Sequence, residues 1–363
     1  MEYRTLPHGG ERFSVIGLGM GWIHETPRTE IPAVLERARE AGVNYLDICP
    51  SEASALKAYA PFIRAHRDEL YLQMHFGANY DSGKYGWSRN LNSIRRTFES
   101  QLELFGTDHA DMGYVHCIDE MGDFDEVMSK DGLWDYLCGL KRQGIVRHLG
   151  FSTHNESIAY RFLDTGLVDM FMFSVNPTYD FDSAGQVSAE RANLYRTCEK
   201  LGVGISVMKA YGGGQLLDAR RSPFKRALSI PQLIQYALDR PGVLCALPGI
   251  RGMSDLEDAL AYLDATPEER DYAQTIAQGR SAVDGTCVYC SHCQPCPAGI
   301  DVALVHKYYD LALLGDTLAA GHYAKLSTKA DACTGCGHCD DRCPFHVEQS
   351  ARMAEIDAYF GSR

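Results

Sequence analysis

Eight of the chain's thirteen cysteines stand between Cys287 and Cys343, in two short runs. The first is Cys287-Val-Tyr-Cys290-Ser-His-Cys293-Gln-Pro-Cys296-Pro, and the second is Cys333-Thr-Gly-Cys336-Gly-His-Cys339-Asp-Asp-Arg-Cys343-Pro. Disulfide frameworks belong to small secreted domains, whereas Cys-x-x-Cys repeats in a long chain read as metal binding. Two-residue spacers let three thiolates of one loop wrap a corner of an iron–sulfur cubane. The fourth, just before a proline, points away from that cubane. Paired structural zinc sites with four thiolates each are the competing reading. Zinc ribbons, however, use paired knuckles rather than three thiolates in a row followed by Cys-Pro.

The second run has the spacing of bacterial ferredoxins, in which the fourth cysteine ligates the other cluster of a pair. The first run is one residue shorter between its last two cysteines. A crossed assignment follows for two [4Fe–4S] clusters. Cys287, Cys290, Cys293 and Cys343 would hold one, and Cys333, Cys336, Cys339 and Cys296 the other. Gly335 and Gly337 let the backbone approach sulfide where a Cβ would crowd it. Residues 281–363 are therefore expected to form a ferredoxin-like domain that carries single electrons.

The chain has 363 residues, too many for one ordinary compact domain unless that domain is an α/β barrel. Before residue 281, short apolar runs alternate with amphipathic stretches. The expected strands are Val15–Leu18, Tyr45–Cys49, Leu70–His75, Met112–His116, His148–Ser152, Met170–Val175, Gly204–Met208 and Val243–Leu247. Helical sequence lies between them at Ile31–Ala41, Leu91–Phe105, Leu133–Gln143, Ala189–Leu201 and Ile230–Asp239. Eight such repeats over residues 1–280 predict a (β/α)8 TIM barrel. An open doubly wound sheet is the alternative, but Gly17-Leu-Gly19-Met-Gly21 has the wrong spacing for its nucleotide-binding turn. Pro7-His-Gly-Gly10 predicts a hairpin under the barrel. No apolar run is long enough to cross a bilayer, and the first residues carry charges where a signal peptide is apolar. A cytoplasmic location is expected. A net charge of −13 argues against nucleic acid and anionic membrane as partners.

Ser14-Val-Ile-Gly-Leu-Gly19, Gly42-Val-Asn-Tyr-Leu-Asp47, Asp111-Met-Gly-Tyr-Val-His116 and Gly144-Ile-Val-Arg-His-Leu-Gly-Phe-Ser152 occur in this order. Val207-Met-Lys209-Ala-Tyr-Gly-Gly213-Gly214 and Leu247-Pro-Gly249-Ile-Arg251 follow. Together these segments resemble the aldo-keto reductases, in particular the branch with a C-terminal ferredoxin-like domain. The resemblance implies a catalytic Asp, Tyr, Lys and His at the C-terminal mouth of the barrel. Asp47 and His116 stand at the matching positions for the Asp and the His. The Tyr position holds Glu52, and the strand that should end in Lys ends in His75. The usual acid is missing, so the expected catalytic set is Asp47, His75, His116 and Glu52. Tyr80, Tyr85 and Tyr211 lie in nearby loops and could return a phenol. Cys49 and His154 also fall at strand ends, and Glu52 could simply begin the helix after the second strand. Asp47, His75 and His116 would also suit a zinc or non-haem iron ion.

For a nicotinamide nucleotide, NADH or NADPH, the resemblance points to Ser152, Lys209, Gly213, Gly249 and Arg251. The Asn expected right after Ser152 and the Gln expected on the sixth strand are replaced by Thr153-His154 and Ser174-Val-Asn176. A nicotinamide moves a hydride, and joining it to one-electron clusters normally needs a flavin. No flavin motif is present. The leading expectation is an anaerobe's iron–sulfur oxidoreductase acting on a small organic substrate, with ferredoxin or flavodoxin as redox partner. An acid–base lyase, isomerase or dehydratase that has lost carbonyl reduction is the alternative. A non-catalytic electron-transfer subunit is the third.

Overall fold

The apolar runs become eight strands: β1 (Leu18–Gly19), β2 (Tyr45–Ile48), β3 (Tyr71–Phe76), β4 (Ala110–Val115), β5 (Val146–Thr153), β6 (Met170–Ser174), β7 (Gly204–Met208) and β8 (Val243–Ala246). They are seen in a computed structural model that describes all residues except 182–186, 280–284, 288, 290–292, 317, 344 and 362–363. Each strand pairs in parallel with the next in the chain. Parallel bridges Ile16↔Ala246 and Gly19↔Gly249 close the ring between β8 and β1. The result is the expected (β/α)8 barrel.

Closure explains the glycines near the N-terminus. Gly17 N donates to Ala246 O at 2.9 Å and Gly19 N to Pro248 O at 2.9 Å. A Cβ on Gly17 would stand 2.6 Å from Leu247 Cδ2, and one on Gly19 would stand 2.9 Å from Pro248 O. Gly17-Leu-Gly19 is therefore the seam of the barrel. The expected first strand, Val15–Leu18, shortens because its early residues make only single bridges to β8. The other strands begin or end within one or two residues of expectation.

Helices follow the strands at Ile31–Glu40, Ala53–His66, Leu91–Phe105, Leu133–Arg142, Glu156–Leu163, Ala189–Leu201, Ile230–Leu238 and Met253–Leu260. The Leu91–Phe105 helix shows why they form. Asn90 caps it by accepting from Ser93 N, Gly106 ends it in the left-handed region, and Ile94, Phe98 and Phe105 are buried. At the strand starts, the antiparallel hairpin of Tyr3–Thr5 and Arg12–Ser14 places Leu6 and Phe13 in one apolar cluster with Tyr45, Met112, Met170 and Leu244.

All eight strands belong to one compact unit, Met1–Ser174 with Ala192–Ala210 and Ala237–Glu269. A second unit gathers Val175–Arg191, Tyr211–Tyr236 and Arg270–Arg363. Its core packs Val305, Tyr308, Tyr323, Met353 and Ile356, mostly from the helices Val302–Leu313, Ala319–Lys325 and Gln349–Gly361. Among the described residues, no helix is long and apolar enough to cross a membrane.

Candidate active site

Alternation along a strand sends every second side chain inward. On β2, β3 and β4 this stacks two polar layers in the barrel. In the lower layer Tyr45 Oη donates to Gln73 Oε1 at 2.7 Å, and Ser206 Oγ of β7 reaches the same oxygen at 3.2 Å. Two residues further along each strand come Asp47, His75 and His116, all buried. These positions lie at the strands' C-terminal ends, where barrel chemistry concentrates.

The upper layer is one continuous hydrogen-bonded chain. Asp47 Oδ1 meets His75 Nε2 at 2.7 Å, His75 Nδ1 meets His116 Nδ1 at 2.9 Å, and His116 Nε2 meets Tyr85 Oη at 2.6 Å. Gln73 Nε2 donates to the same Asp47 oxygen at 2.9 Å. A carboxylate only accepts, so Asp47 places a proton on His75 Nε2. His75 Nδ1 must then accept, His116 Nδ1 carries a proton, and His116 Nε2 accepts from the Tyr85 phenol. Burial pushes the Tyr85 phenol well above its ordinary value, which keeps that proton on oxygen.

Tyr85 arrives from an unexpected direction. After β3, Ala78–Asn79 and Gly86–Trp87 pair as a small antiparallel hairpin. That hairpin is stitched to the loop after β2: Tyr85 N donates to Ser51 O at 2.9 Å, Ala53 N donates to Gly83 O at 2.9 Å, and Lys84 bridges Glu52. A phenol from the third loop is thereby delivered beside the stretch that lacks one. Glu52 itself stands outside the chain of hydrogen bonds. It occupies the cap position of the Ala53–His66 helix, pairs with Arg28 at 2.8 Å and accepts from Ser54 Oγ at 3.1 Å.

Next to this layer lies a second polar group. Asp119 Oδ1 accepts from His154 N at 2.7 Å, His154 Nδ1 stands 3.1 Å from Asp119 Oδ2, and Cys117 Sγ donates to that oxygen at 3.2 Å. Cys117 has a φ of 50°, in the left-handed region that non-glycine residues avoid. It is held there by Ser152 Oγ, which accepts from Cys117 N at 2.7 Å, and by Arg89 Nη2, which donates to Cys117 O at 3.1 Å. Asp119 was not singled out by sequence, because a loop aspartate carries no signal of its own. Cys49 is buried too, and burial followed by the charge of Asp47 pushes its thiol well up. Cys49, His75 and His116 offer donor atoms within 4.8 Å of one another. The third donor beside the imidazoles is thus Cys49, while Asp47 is taken by the far nitrogen of His75.

Of the residues considered for a nicotinamide nucleotide, Ser152 and Arg251 have partners within the chain. The Ser152 hydroxyl accepts from Cys117 N. Arg251 grips Asp255 through Nε at 2.8 Å and Nη2 at 3.0 Å, and its backbone N donates to the same carboxylate at 2.9 Å. Arg251 is thus paired with a carboxylate four residues further along the chain. A Cβ on Gly249 would be 3.0 Å from Trp22 Cδ1. Lys209 has a φ of 61° just beyond β7. In the second unit, Gly213 has a φ of 66°, and a Cβ there would meet Leu311 at 2.7 Å.

The cysteine runs lie in the second unit. Cys296, Cys333, Cys336 and Cys339 line one cavity, closed on other sides by Pro297, Ile300 and Met353. Four thiols around one small cavity suit a cubane. Gly335 and Gly337 have φ of 65° and 72° there, and Gly335 N points at Cys333 Sγ at 3.5 Å. Cys287 and Cys343 pack with Phe345 and Val347 in a separate cluster. Cys343 Sγ accepts from Val347 N at 3.4 Å and Gln349 Nε2 at 3.5 Å. Cys293 is buried, and Cys290 lies outside the described residues.

Comparison with known proteins agrees with this architecture. A model of the aldo/keto reductase family matches residues 15–227, and one of a 4Fe-4S dicluster domain matches residues 285–347. Among solved structures, aldo-keto reductase AKR11C1 from Bacillus halodurans in its holo form superposes with a TM-score of 0.61 at 20% identity, covering 77% of this chain and 96% of that one. An aldo-keto reductase homologue from Pseudomona aeruginosa gives 0.56 at 23% identity over 72% of this chain and 95% of that one. The uncharacterized oxidoreductase YqkF of Bacillus subtilis (strain 168) is 24% identical over 162 residues, 44% of this chain. The match spans about half of that relative's length, 51%.

Proposed function

The chain belongs to the aldo/keto reductase family, and from that premise we propose that it is an iron–sulfur oxidoreductase interconverting a small hydroxyl compound and its carbonyl at the barrel mouth. One observation carries the reading: the unbroken chain Tyr85–His116–His75–Asp47. With Asp47 ionised, every proton in that chain points toward the carboxylate. A hydroxyl bound at the Tyr85 oxygen therefore finds a base. Its proton passes to Tyr85 while the phenol proton moves to His116, and each following proton shifts one step until Asp47 is protonated. The protonated chain has the opposite polarity and returns a proton to a carbonyl oxygen in the reverse reaction.

Oxidising a secondary alcohol releases two electrons and two protons: the hydroxyl proton enters the Tyr85–Asp47 chain, the proton from carbon leaves to solvent water, and the electrons leave singly. The four-thiolate cavity of Cys296, Cys333, Cys336 and Cys339, and the partner set of Cys287, Cys290, Cys293 and Cys343, would hold [4Fe–4S] clusters, which exchange single electrons. A ferredoxin- or flavodoxin-like protein would take or supply them. Residues 281–363 would serve as the electron-carrying domain and residues 1–280 as the substrate domain. Such clusters suit a reducing, anaerobic cytoplasm.

A second reading draws on the same observation. The proton chain is complete without any redox group, so it would also serve proton abstraction next to a carbonyl, as in isomerisation or dehydration. One experiment separates the two. Protein purified without oxygen is reduced with dithionite, freed of excess reductant, and mixed with a panel of small aldehydes, ketones and enones. Reoxidation of the cluster EPR signal in step with carbonyl loss, abolished in His116→Gln, is the expected result. Turnover by oxidised protein with no electron donor would instead favour the acid–base reading. Binding of NADH or NADPH at micromolar concentration would restore the nucleotide.

A further inference from the structure

We propose that Cys117, Asp119 and His154 form a binding site for a divalent ion of the zinc type, separate from the iron–sulfur clusters. The three side chains are buried, with exposures of 2%, 1% and 6%, and their donor atoms all lie within 4.8 Å of one another. Thiolate, carboxylate and imidazole are a mixed donor set that suits zinc better than magnesium or calcium, which take oxygen.

The order of the groups excludes the other common use of such a trio. In a thiol nucleophile the imidazole stands between sulfur and carboxylate, taking the thiol proton on one nitrogen. Here the carboxylate stands between them, with Cys117 Sγ at 3.2 Å and His154 Nδ1 at 3.1 Å from the same Asp119 oxygen. The three donors therefore face a common point. Around a tetrahedral zinc ion such donors stand roughly 3.3–3.6 Å apart. The two contacts to Asp119 Oδ2 open by a few tenths of an ångström once the thiol and ring protons leave.

The backbone supplies an independent observation. Cys117 is held at a φ of 50° by bonds at both its N–H and its C=O. Strain of this kind costs of the order of 1–3 kcal/mol and persists where a side chain must be aimed. Arg89 also fixes the preceding carbonyl, donating to His116 O at 2.8 Å. Asp119 Oδ1 is held by His154 N, while Thr153 Oγ1 reaches the same oxygen at 3.3 Å, which fixes the carboxylate with Oδ2 toward Cys117 and His154. Three protein ligands leave a fourth position for water or a substrate oxygen, as in catalytic zinc sites. The neighbouring trio of Cys49, His75 and His116 is a weaker candidate, because each nitrogen of its two imidazoles already has a hydrogen-bond partner in the Tyr85–Asp47 chain.

The test uses anaerobically purified full-length protein with its clusters intact. It is dialysed against micromolar zinc chloride and washed, then analysed for zinc and iron and by X-ray absorption at the zinc edge. One zinc per chain is expected, bound by one sulfur and otherwise nitrogen and oxygen, with iron content unchanged. Cys117→Ser and His154→Gln should each weaken zinc binding at least about tenfold while keeping the iron. Zinc should also raise the melting temperature of the wild type, a readout independent of the variants' folding. No retained zinc, equal zinc in wild type and both variants, or an all-sulfur shell from metal in the cluster cysteines would each overturn the proposal.

Discussion

His75 and His116 face each other through their Nδ1 atoms at 2.9 Å, one donating and the other accepting. Which one donates is decided two bonds away by Asp47, because a carboxylate fixes the proton on His75 Nε2. Leaving a buried donor or acceptor unpaired costs about 1–3 kcal/mol, so the four groups adopt one proton arrangement together. Asp47→Asn removes the acceptor that sets it, since the amide can donate as well. We expect kcat to fall about a hundred- to ten-thousand-fold with small change in KM. Steady-state kinetics on any carbonyl turned over by the wild type checks this. A variant within threefold of wild type would mean that the chain does not move protons in catalysis.

Tyr85→Phe tests the other end. It deletes the phenol while keeping the ring against His116, with centroids 5.6 Å apart. A loss of kcat similar to that of Asp47→Asn is expected, and the double variant should lose little more, because both changes break one relay. Independent, multiplying losses would show two separate roles.

Much of this site is legible in the sequence, for a geometric reason. Asp47, His75 and His116 end three apolar strands, and two-residue alternation then fixes which way each points. Tyr85 is different. Its place depends on backbone bonds such as Tyr85 N to Ser51 O, which any residue type could make. No side-chain pattern announces that the third loop pairs with the second. Gly17-Leu-Gly19 shows the opposite hazard, since glycines that close a barrel look like half of a phosphate-binding turn. Asp255 was equally hidden: four residues past Arg251, it pairs with the arginine that the sequence offers to a phosphate.

The crossed assignment of the cysteines makes a prediction that an uncrossed one does not. Cys296 belongs to the first run but shares a cavity with three cysteines of the second. Cys296→Ser should therefore disturb the same EPR signal as Cys336→Ser, and Cys343→Ser should disturb the other. Each should lower iron from about eight toward about four per chain. If Cys296→Ser instead matches Cys287→Ser, the runs are not crossed.

Gln349 is buried and aims Nε2 at Cys343 Sγ, the ligand that also receives Val347 N. Hydrogen bonds to cluster sulfur stabilise the more negative, reduced state and so raise the potential. Gln349→Leu should lower the midpoint potential of the cluster held by Cys343 and leave the other in place. Potentiometric titration followed by EPR distinguishes this from a purely structural role, which would lower cluster content without a selective shift.

At the closed end of the barrel, His148 stands between two carboxylates, Glu11 of the hairpin loop at 2.9 Å and Asp169 at 3.6 Å. Burial by itself lowers the imidazole's pKa, but the neighbouring carboxylates of Asp169 and Glu11 outweigh it, and the net shift is upward from 6.5. Asp169 is pulled the other way. Burial raises it, yet His148, Lys141 and Leu149 N together bring it down to about 2. The two groups should therefore fail at opposite ends of the pH scale. The contribution of His148 is complete below its unfolded value of 6.5 and is lost as pH rises through the higher folded value. That of Asp169 is complete above 3.8 and is lost as pH falls toward about 2. Urea midpoints of the wild type and His148→Asn should accordingly differ most below pH 6.5 and converge as the solution becomes alkaline, while Asp169→Asn keeps its deficit at neutral pH and loses it in acid. A His148→Asn deficit that grew with pH would place the imidazole in its neutral form in the folded chain and remove the hairpin's electrostatic tie to β5.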